Sequence, residues 1–283
     1  MTSIDILNDL LNITQNYDLL SHELIRKQVA FSYKIYLMLW SSALVMCTAG
    51  VFVPFINHKL PYKVWFPFET DIEKNELGFW VASFLVVFNS FFGSAIDMAL
   101  DILPVTFMAF AIGLLNELSE RIKKVRTYDD LVQCVVIHRK IKLFVNEIYE
   151  NFATAIFIQG IMSSLILCTG VFTMSVTKST ADFIQITTFI IPMVLEIFLP
   201  CYFGNELSIA SSELTSSMFQ SKWIEGDSKL KKTLMIFMEC NRKELRLTAL
   251  GWFEINIPTF TNTRCNRSEH KAICVHNLTV CVT

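Results

Sequence analysis

Three carboxylates stand within otherwise apolar stretches of this chain, and chemistry would be expected there first. Asp97 and Asp101 are four residues apart, so on a helix they share one face. Glu196 lies between Pro192 and Pro200, which are expected to kink a helix. A carboxylate at membrane depth is costly and usually faces the protein interior or water. Two interpretations stay open: a water-lined path, or ordinary contacts between helices and at the membrane boundary, of which the second is favoured.

No catalytic or metal-binding motif accompanies these carboxylates. The five histidines are scattered, and none forms the i, i+4 pair of H-E-x-x-H. The sequence also contains no G-x-S-x-G, Walker A or Rossmann glycine pattern. The eight cysteines match no zinc-site spacing, and the net charge of −2 gives no indication of a nucleic-acid partner. We therefore expect a protein that is not an enzyme and needs no metal or cofactor.

A stripe of phenylalanines has the spacing of one helix face. Phe84, Phe88 and Phe92 are each four residues apart, which places their rings on the same side of a helix. Such a stripe ordinarily packs against a neighbouring helix. The same surface would also bind a small apolar ligand, because burying apolar area is worth roughly 25 cal/mol per Å².

The elements that must position these residues are membrane-spanning helices. Of 283 residues, 53% are hydrophobic and only 18% are charged, whereas soluble domains carry about 25% charged residues. A transmembrane helix needs about 20 mostly apolar residues. Residues 35–57 and 151–177 contain no Lys, Arg, Asp or Glu, and residues 183–205 contain only Glu196.

A fourth apolar region, residues 79–116, is too long for one ordinary span. At 1.5 Å per residue a helix of this length measures about 57 Å, nearly twice the hydrocarbon thickness. It forms either two spans with a turn near Asp97–Pro104, or one span that continues as a helix beyond the membrane. With one span, the four predicted spans lie near 35–57, 79–103, 151–177 and 183–205.

Positive charge places the two large hydrophilic segments on the same side of the membrane. Segments 117–150 and 206–246 each carry a total of seven Lys and Arg residues. In membrane proteins, Lys and Arg gather in the segments on the cytoplasmic side. The flanks of the first span hold three basic residues each, so charge alone leaves the orientation open.

Segment 206–246 also has an amphipathic pattern. Apolar residues recur at spacings of three and four, which predicts helices with one apolar stripe that needs cover. The residues of this pattern are Leu207, Ile209, Leu214, Met218, Trp223, Leu230, Leu234, Phe237 and Met238.

Three stretches of the chain carry a family resemblance. Residues 201–223, CYFGNELSIASSELTSSMFQSKW, resemble the last intracellular loop of the insect odorant receptor family, the seven-helix subunits of odour-gated cation channels. Residues 60–68, LPYKVWFPF, resemble its long extracellular loop, and residues 250–260, LGWFEINIPTF, the start of its final helix. The resemblance covers roughly residues 20–260.

The resemblance implies an all-α membrane protein, a polytopic helical bundle with long cytoplasmic helices. About four transmembrane helices of the seven-helix architecture are expected, without the first two and the last. One long helix would then follow segment 58–78, which would be extracellular, and both basic segments would be cytoplasmic. Residues 1–260 would form a single odorant-receptor-like domain, followed by an aberrant polar tail at 261–283.

The resemblance also implies a function, a site and partners. Receptors of this family hold small volatile odorants between the outer halves of their helices and gate a cation channel. They do so in the plasma membrane as hetero-tetramers with the odorant receptor co-receptor. We therefore expect segment 206–246 to form the assembly surface. Lipid is expected as a further partner, and nucleic acid is not. The candidate ligand-binding residues are Thr48, Val51, Phe52, Phe84, Phe88, Asn89 and Phe92.

Two other functions remain alternatives, and the form of the chain adds one expectation. A gustatory receptor shares the architecture, although residues 201–223 favour the odorant branch. A small polytopic transporter would predict internal repeats and broken helices, and no repeat is evident.

Because residues 261–283 contain no apolar run that could replace a pore helix, this form is expected to be truncated and inactive.

Overall fold

The described part of the chain is built almost entirely of long helices. The computed structural model describes residues 22–57, 60, 64–70, 73–177, 180–241, 245, 248–249 and 253–254. The expected polar tail at 261–283 lies outside these residues. The helices are α1 (His22–Asn57), α2 (Glu76–Lys123), α3 (Tyr128–Val176), α4 (Thr180–Gln220) and α5 (Ser228–Cys240), with a short 3₁₀ turn at Trp223–Glu225.

The predicted membrane spans lie in these helices. Within the described residues, three segments are long and apolar enough to cross a membrane: α2, α3 and the part of α4 from Ile186 to Gln220. The predicted span at 35–57 lies in α1, which continues without a break through Pro54. The prediction of a polytopic helical membrane protein is confirmed.

Helix α2 decides between the two hypotheses for the long apolar region. It runs unbroken for 48 residues through Asp97 and Pro104, a length of about 72 Å. No turn separates two spans here. The helix therefore continues some twenty residues beyond the span predicted at 79–103, and the two-span hypothesis is wrong.

Where they are described, the two basic segments are mainly helical. After α2 ends at Lys123, a four-residue turn leads directly into α3. Thr127 caps α3: its hydroxyl accepts from the Asp130 amide at 3.2 Å, and the Asp130 carboxylate accepts from the Thr127 amide at 3.3 Å. This reciprocal pair is a capping box, which satisfies amides that the first helical turn leaves open.

The chain divides into two compact units. One comprises residues 32–103, the apolar parts of α1 and α2. The other comprises residues 1–31 and 104–283. Its core is formed by the second half of α2, the first half of α3, the end of α4 and α5. Fully buried side chains in this core include Met108, Leu115, Leu118, Leu131, Ile141, Leu207 and Leu214.

The amphipathic stripe of segment 206–246 is buried inside this second unit. Leu207, Leu214 and Met218 have no exposed surface, and Leu230 and Leu234 are each 2% exposed. The Ser119 and Ser217 hydroxyls join α2 to α4 at 2.7 Å within the same core. The stripe thus has its cover within the chain, whereas Phe219 and Ile224 of the same segment are 64% and 70% exposed. That segment 206–246 forms the assembly surface stays a prediction.

The segment after α5 contains a small hairpin. Strands β1 (Thr248–Ala249) and β2 (Phe253–Glu254) pair antiparallel, with Thr248 opposite Glu254. In the segment that resembles the start of the final helix, residues 250–260, only Phe253 and Glu254 are described, and both are in β2.

Candidate ligand-binding site

The phenylalanine stripe exists as predicted, on one face of α2. The Phe84 and Phe88 ring centroids are 6.0 Å apart, and those of Phe88 and Phe92 are 5.4 Å apart. The three side chains are 68%, 53% and 57% exposed, respectively. Asn89, on the next position of the helix, is also exposed. The rings therefore form a continuous apolar surface that the rest of the subunit leaves open.

The three candidate residues of α1 lie on a different helix from this stripe. The Thr48 hydroxyl donates to the Val45 carbonyl at 2.9 Å, within the same helix. Val51 is half-buried, and Phe52 is 61% exposed. The Phe55 ring of α1 packs against α2, with its centroid 4.9 Å from that of Trp80. The structure thus brings Phe84, Phe88 and Phe92 together, and a site shared with Thr48, Val51 and Phe52 stays a prediction.

An open groove runs along the first turns of α2. Its volume is about 650 Å³, it is wide open, and all of its lining residues belong to α2. Only Phe84 belongs to both the groove and the predicted site. The spacing of Leu77, Val81 and Leu85, each four residues apart, is the sequence signal that would have found it. The lining residues are Glu76, Leu77, Trp80, Val81, Phe84 and Leu85.

The start of α2 is held firmly beneath this groove. The Phe79 side chain is 1% exposed and meets the Trp80 ring edge-on, with centroids 5.4 Å apart. The Gly78 amide donates to the Asn75 side-chain oxygen at 3.0 Å. A methyl group on Gly78 would lie 2.8 Å from the Glu69 carbonyl oxygen, so the preceding loop packs closely on the helix. The orientation of Trp80 is therefore fixed by its neighbours.

Glu196 makes a contact between helices. The Gln159 side-chain amide of α3 donates to its carboxylate at 2.7 Å, and both side chains are partly buried. The interhelical interpretation of Glu196 is confirmed. Asp97 is exposed on α2, and its position at the membrane boundary stays a prediction.

The titratable groups with shifted pKa values that lie outside the spans belong to the first half of α3. Burial lowers the pKa of His138 to about 4, helped by the nearby Lys142 ammonium. Burial raises the pKa of the Cys134 thiol to about 11. In the part of the chain that the structure describes, no three His, Cys, Asp or Glu side chains are grouped to hold a metal ion.

Comparison with known proteins identifies the family. The sequence model described as "7tm Odorant receptor" matches residues 10–264. The chain belongs to the odorant receptor family. This match favours the odorant receptor over the gustatory receptor and transporter alternatives.

Curated relatives of this odorant receptor chain come from Drosophila melanogaster. Odorant receptor 94a is 25% identical over 265 residues, which are 89% of this chain and 67% of that protein. Odorant receptor 22b is 25% identical over 242 residues, 82% of this chain and 59% of that protein. The odorant receptor chain thus spans about two thirds or less of the length of these relatives.

A solved structure shares the fold. The olfactory receptor OR5 from Machilis hrabei, in complex with eugenol, superposes with a TM-score of 0.77 at 16% identity. The superposition covers 90% of this odorant receptor chain and 70% of the Machilis chain. At this identity the likeness establishes the fold alone.

Proposed function

We propose that this chain is an odorant receptor subunit that binds small volatile apolar odorants in the plasma membrane. The observation that carries the proposal is the family match over residues 10–264. The Machilis relative binds eugenol, a small aromatic volatile, within the same fold. Gating of a cation channel with the odorant receptor co-receptor, as a hetero-tetramer, is the activity that family membership suggests.

The phenylalanine stripe is the surface we propose for the ligand. Its three rings line up on one helix face and remain open within the subunit. Aromatic rings offer apolar area to a volatile ligand that has few polar groups. Asn89, next to Phe88, supplies one hydrogen-bonding group, while Thr48, Val51 and Phe52 complete the proposed site from α1.

Ligand binding tests this proposal without requiring a channel. The purified chain in lipid nanodiscs would be titrated with eugenol, and intrinsic tryptophan fluorescence would report binding. Burying a phenylalanine is worth about 1.5–3 kcal/mol, and 1.4 kcal/mol is a factor of ten. Phe88→Ala and Phe92→Ala should therefore each weaken eugenol binding by roughly tenfold.

Phe172 provides the matched control. It is a phenylalanine of α3, 70% exposed and outside the proposed site. Phe172→Ala should leave the affinity unchanged. Equal affinities for all four proteins would assign the stripe to helix packing or lipid contact, and the ligand site would lie elsewhere.

A further inference from the structure

The turn that joins α2 to α3 presents a hydroxyl group to solvent. This turn consists of Lys124, Val125, Arg126 and Thr127. Val125 is 6% exposed and holds the turn to the core, whereas the other three side chains are exposed. The backbone of Thr127 is extended, with φ −109° and ψ 157°. An enzyme that modifies hydroxyl groups could therefore reach this side chain without opening the core.

Charges of opposite sign flank Thr127 along the chain. Three basic residues lie within the four positions before it, and two aspartates lie two and three positions after it. One aspartate is engaged, because the Asp130 carboxylate accepts from the Thr127 amide at 3.3 Å within the first turn of α3. Among the described residues, neither Lys124 nor Arg126 forms a salt bridge. The charges that stand free on the turn itself are therefore both positive.

A cation from another helix lies at the same place. The Lys229 ammonium of α5 is 4.0 Å from the centroid of the ring of Tyr128, the residue directly after Thr127. In the described part of the chain, no carboxylate lies at salt-bridge distance from Lys229. A cation–π contact at an exposed site is weak, whereas a pair with a phosphate is a strong, charge-assisted contact. A phosphate on this turn would therefore draw the ammonium away from the ring.

We propose that Thr127 is a phosphorylation site for a protein kinase that selects basic residues before its acceptor. Charge pattern around the acceptor is a feature by which kinases discriminate among substrates. The Thr127 oxygen attacks the γ-phosphorus of ATP, the bond to the bridging oxygen breaks, ADP leaves, and the hydroxyl proton passes to a base of the kinase. The proposal rests on the cytoplasmic side expected for this turn, where ATP is present.

The phosphate changes the contacts between the start of α3 and α5. It carries a charge of about −1.5 to −2 at pH 7 and repels the Asp130 carboxylate from the Thr127 amide. Lys229 is the cation that α5 brings to this point. Its ammonium pairs with the phosphate, so the modified turn is tied to α5 by a charged contact that the unmodified turn lacks.

Phosphorylation of the purified chain tests the site. The chain in lipid nanodiscs, which leave both faces accessible, would be incubated with Mg-ATP and the catalytic subunit of cAMP-dependent protein kinase. This kinase selects basic residues before its acceptor, and mass spectrometry would map the modified residues. Phosphate should appear on Thr127 in at least half of the chains. Casein kinase 2, which selects acidic residues after its acceptor, should modify Thr127 at least fivefold more slowly.

Variants separate recognition of the turn from general accessibility. Thr127→Asn keeps a side chain that caps a helix but removes the acceptor, so the phosphate should disappear. Arg126→Gln should slow its addition at least fivefold. Ser228 is the matched control, because it is exposed at the start of α5 but follows Asp227 and precedes the lysines; it should stay unmodified. Circular dichroism would verify that each variant keeps its helix content.

The contact with α5 has its own readout. Lys229→Gln should leave the rate of phosphorylation unchanged, because Lys229 follows Thr127 by some hundred positions and is not part of the sequence that the kinase reads. The same variant should speed removal of the phosphate by alkaline phosphatase at least threefold. Equal removal rates in the two proteins would show that Lys229 does not hold the phosphate.

Three results in nanodiscs would overturn the site itself. They are phosphate spread equally over the exposed serines and threonines, an unchanged rate for Arg126→Gln, and faster modification by casein kinase 2. None of them depends on odorant binding or on the orientation of the chain. In cultured insect cells, phosphate is expected on Thr127 wherever native Cys240 is labelled only after permeabilisation. Its absence from chains in that orientation would show that the site is not used.

Discussion

Gly113 of α2 lies directly against the backbone of Ile25 in α1. A methyl group on Gly113 would come within 2.9 Å of the Ile25 Cα atom and 3.3 Å of its side chain. Backbone atoms cannot rotate away as a side-chain tip can. The absence of a side chain at Gly113 is therefore what allows the start of α1 to cross α2 at this distance.

Gly113→Ala should destabilise the protein. Overpacking of this kind costs about 1–3 kcal/mol, more than the 0.5–1 kcal/mol that alanine gains over glycine in a helix. The matched control is Gly160→Ala, because a methyl group at Gly160 of α3 meets nothing within 4 Å. Unfolding in mixed micelles would measure both variants. A neutral or stabilising Gly113→Ala would show that the two helices are not in close contact.

Stability should fall in acid because of His138. Its imidazole is 7% exposed and lies edge-on to the Phe237 ring of α5, with centroids 5.4 Å apart. Burial lowers the pKa of His138 from 6.5 to about 4, so the unfolded chain binds more protons between these values. The contribution of His138 to the free energy of unfolding is fully present above pH 6.5. This free energy then falls by about 3 kcal/mol as the pH drops towards 4.

A variant without His138 isolates this effect. His138→Leu keeps an apolar group against Phe237 and should flatten the pH dependence of thermal unfolding between pH 6.5 and 4. If the slope in that window is the same in both proteins, other groups account for the acid sensitivity.

The contact between Gln159 and Glu196 should stabilise the pairing of α3 and α4. Gln159→Leu removes the donor of the 2.7 Å hydrogen bond, and such bonds in membranes are worth about 0.6–1.7 kcal/mol. Glu196→Gln keeps an acceptor oxygen and should cost less than Glu196→Leu. A double-mutant cycle between the two positions would measure the coupling, and a coupling of zero would mean that the hydrogen bond contributes nothing.

The orientation of the chain can be measured by cysteine labelling on intact cells. Trp65 lies in the segment we expect outside and is 84% exposed, so Trp65→Cys should react with an impermeant maleimide. Native Cys240, exposed on α5, should react only after permeabilisation and serves as the control. Labelling of Cys240 in intact cells would reverse the proposed topology.

Periodicity predicted the helices well, because helix type depends on local spacing. It also predicted an apolar stripe at Leu207 and Leu214, and both are buried. Ile209 is 43% exposed, since two positions after Leu207 is about 200° around the helix.

Two features could not be predicted, because they depend on how helices pack. Amphipathicity shows that a face needs cover but not which chain covers it, so the 207–218 stripe could not be assigned to the subunit's own core. Likewise, both Phe52 and Phe55 lie in the apolar part of α1, and the sequence does not show which of the two rings meets Trp80 of α2. Only the rotation of α1 against α2 decides that Phe55 meets Trp80.

The burial of the 207–218 stripe also changes the energetics of assembly. Segments that fold only on binding must offset the loss of backbone and side-chain freedom at that moment, at a cost of about 2–5 kcal/mol. The ends of α2 and α4, with the first half of α3 and all of α5, are packed before any partner arrives. In the assembly that we propose, a neighbouring subunit would meet helices that are already packed, and its binding would not have to offset the cost of ordering them.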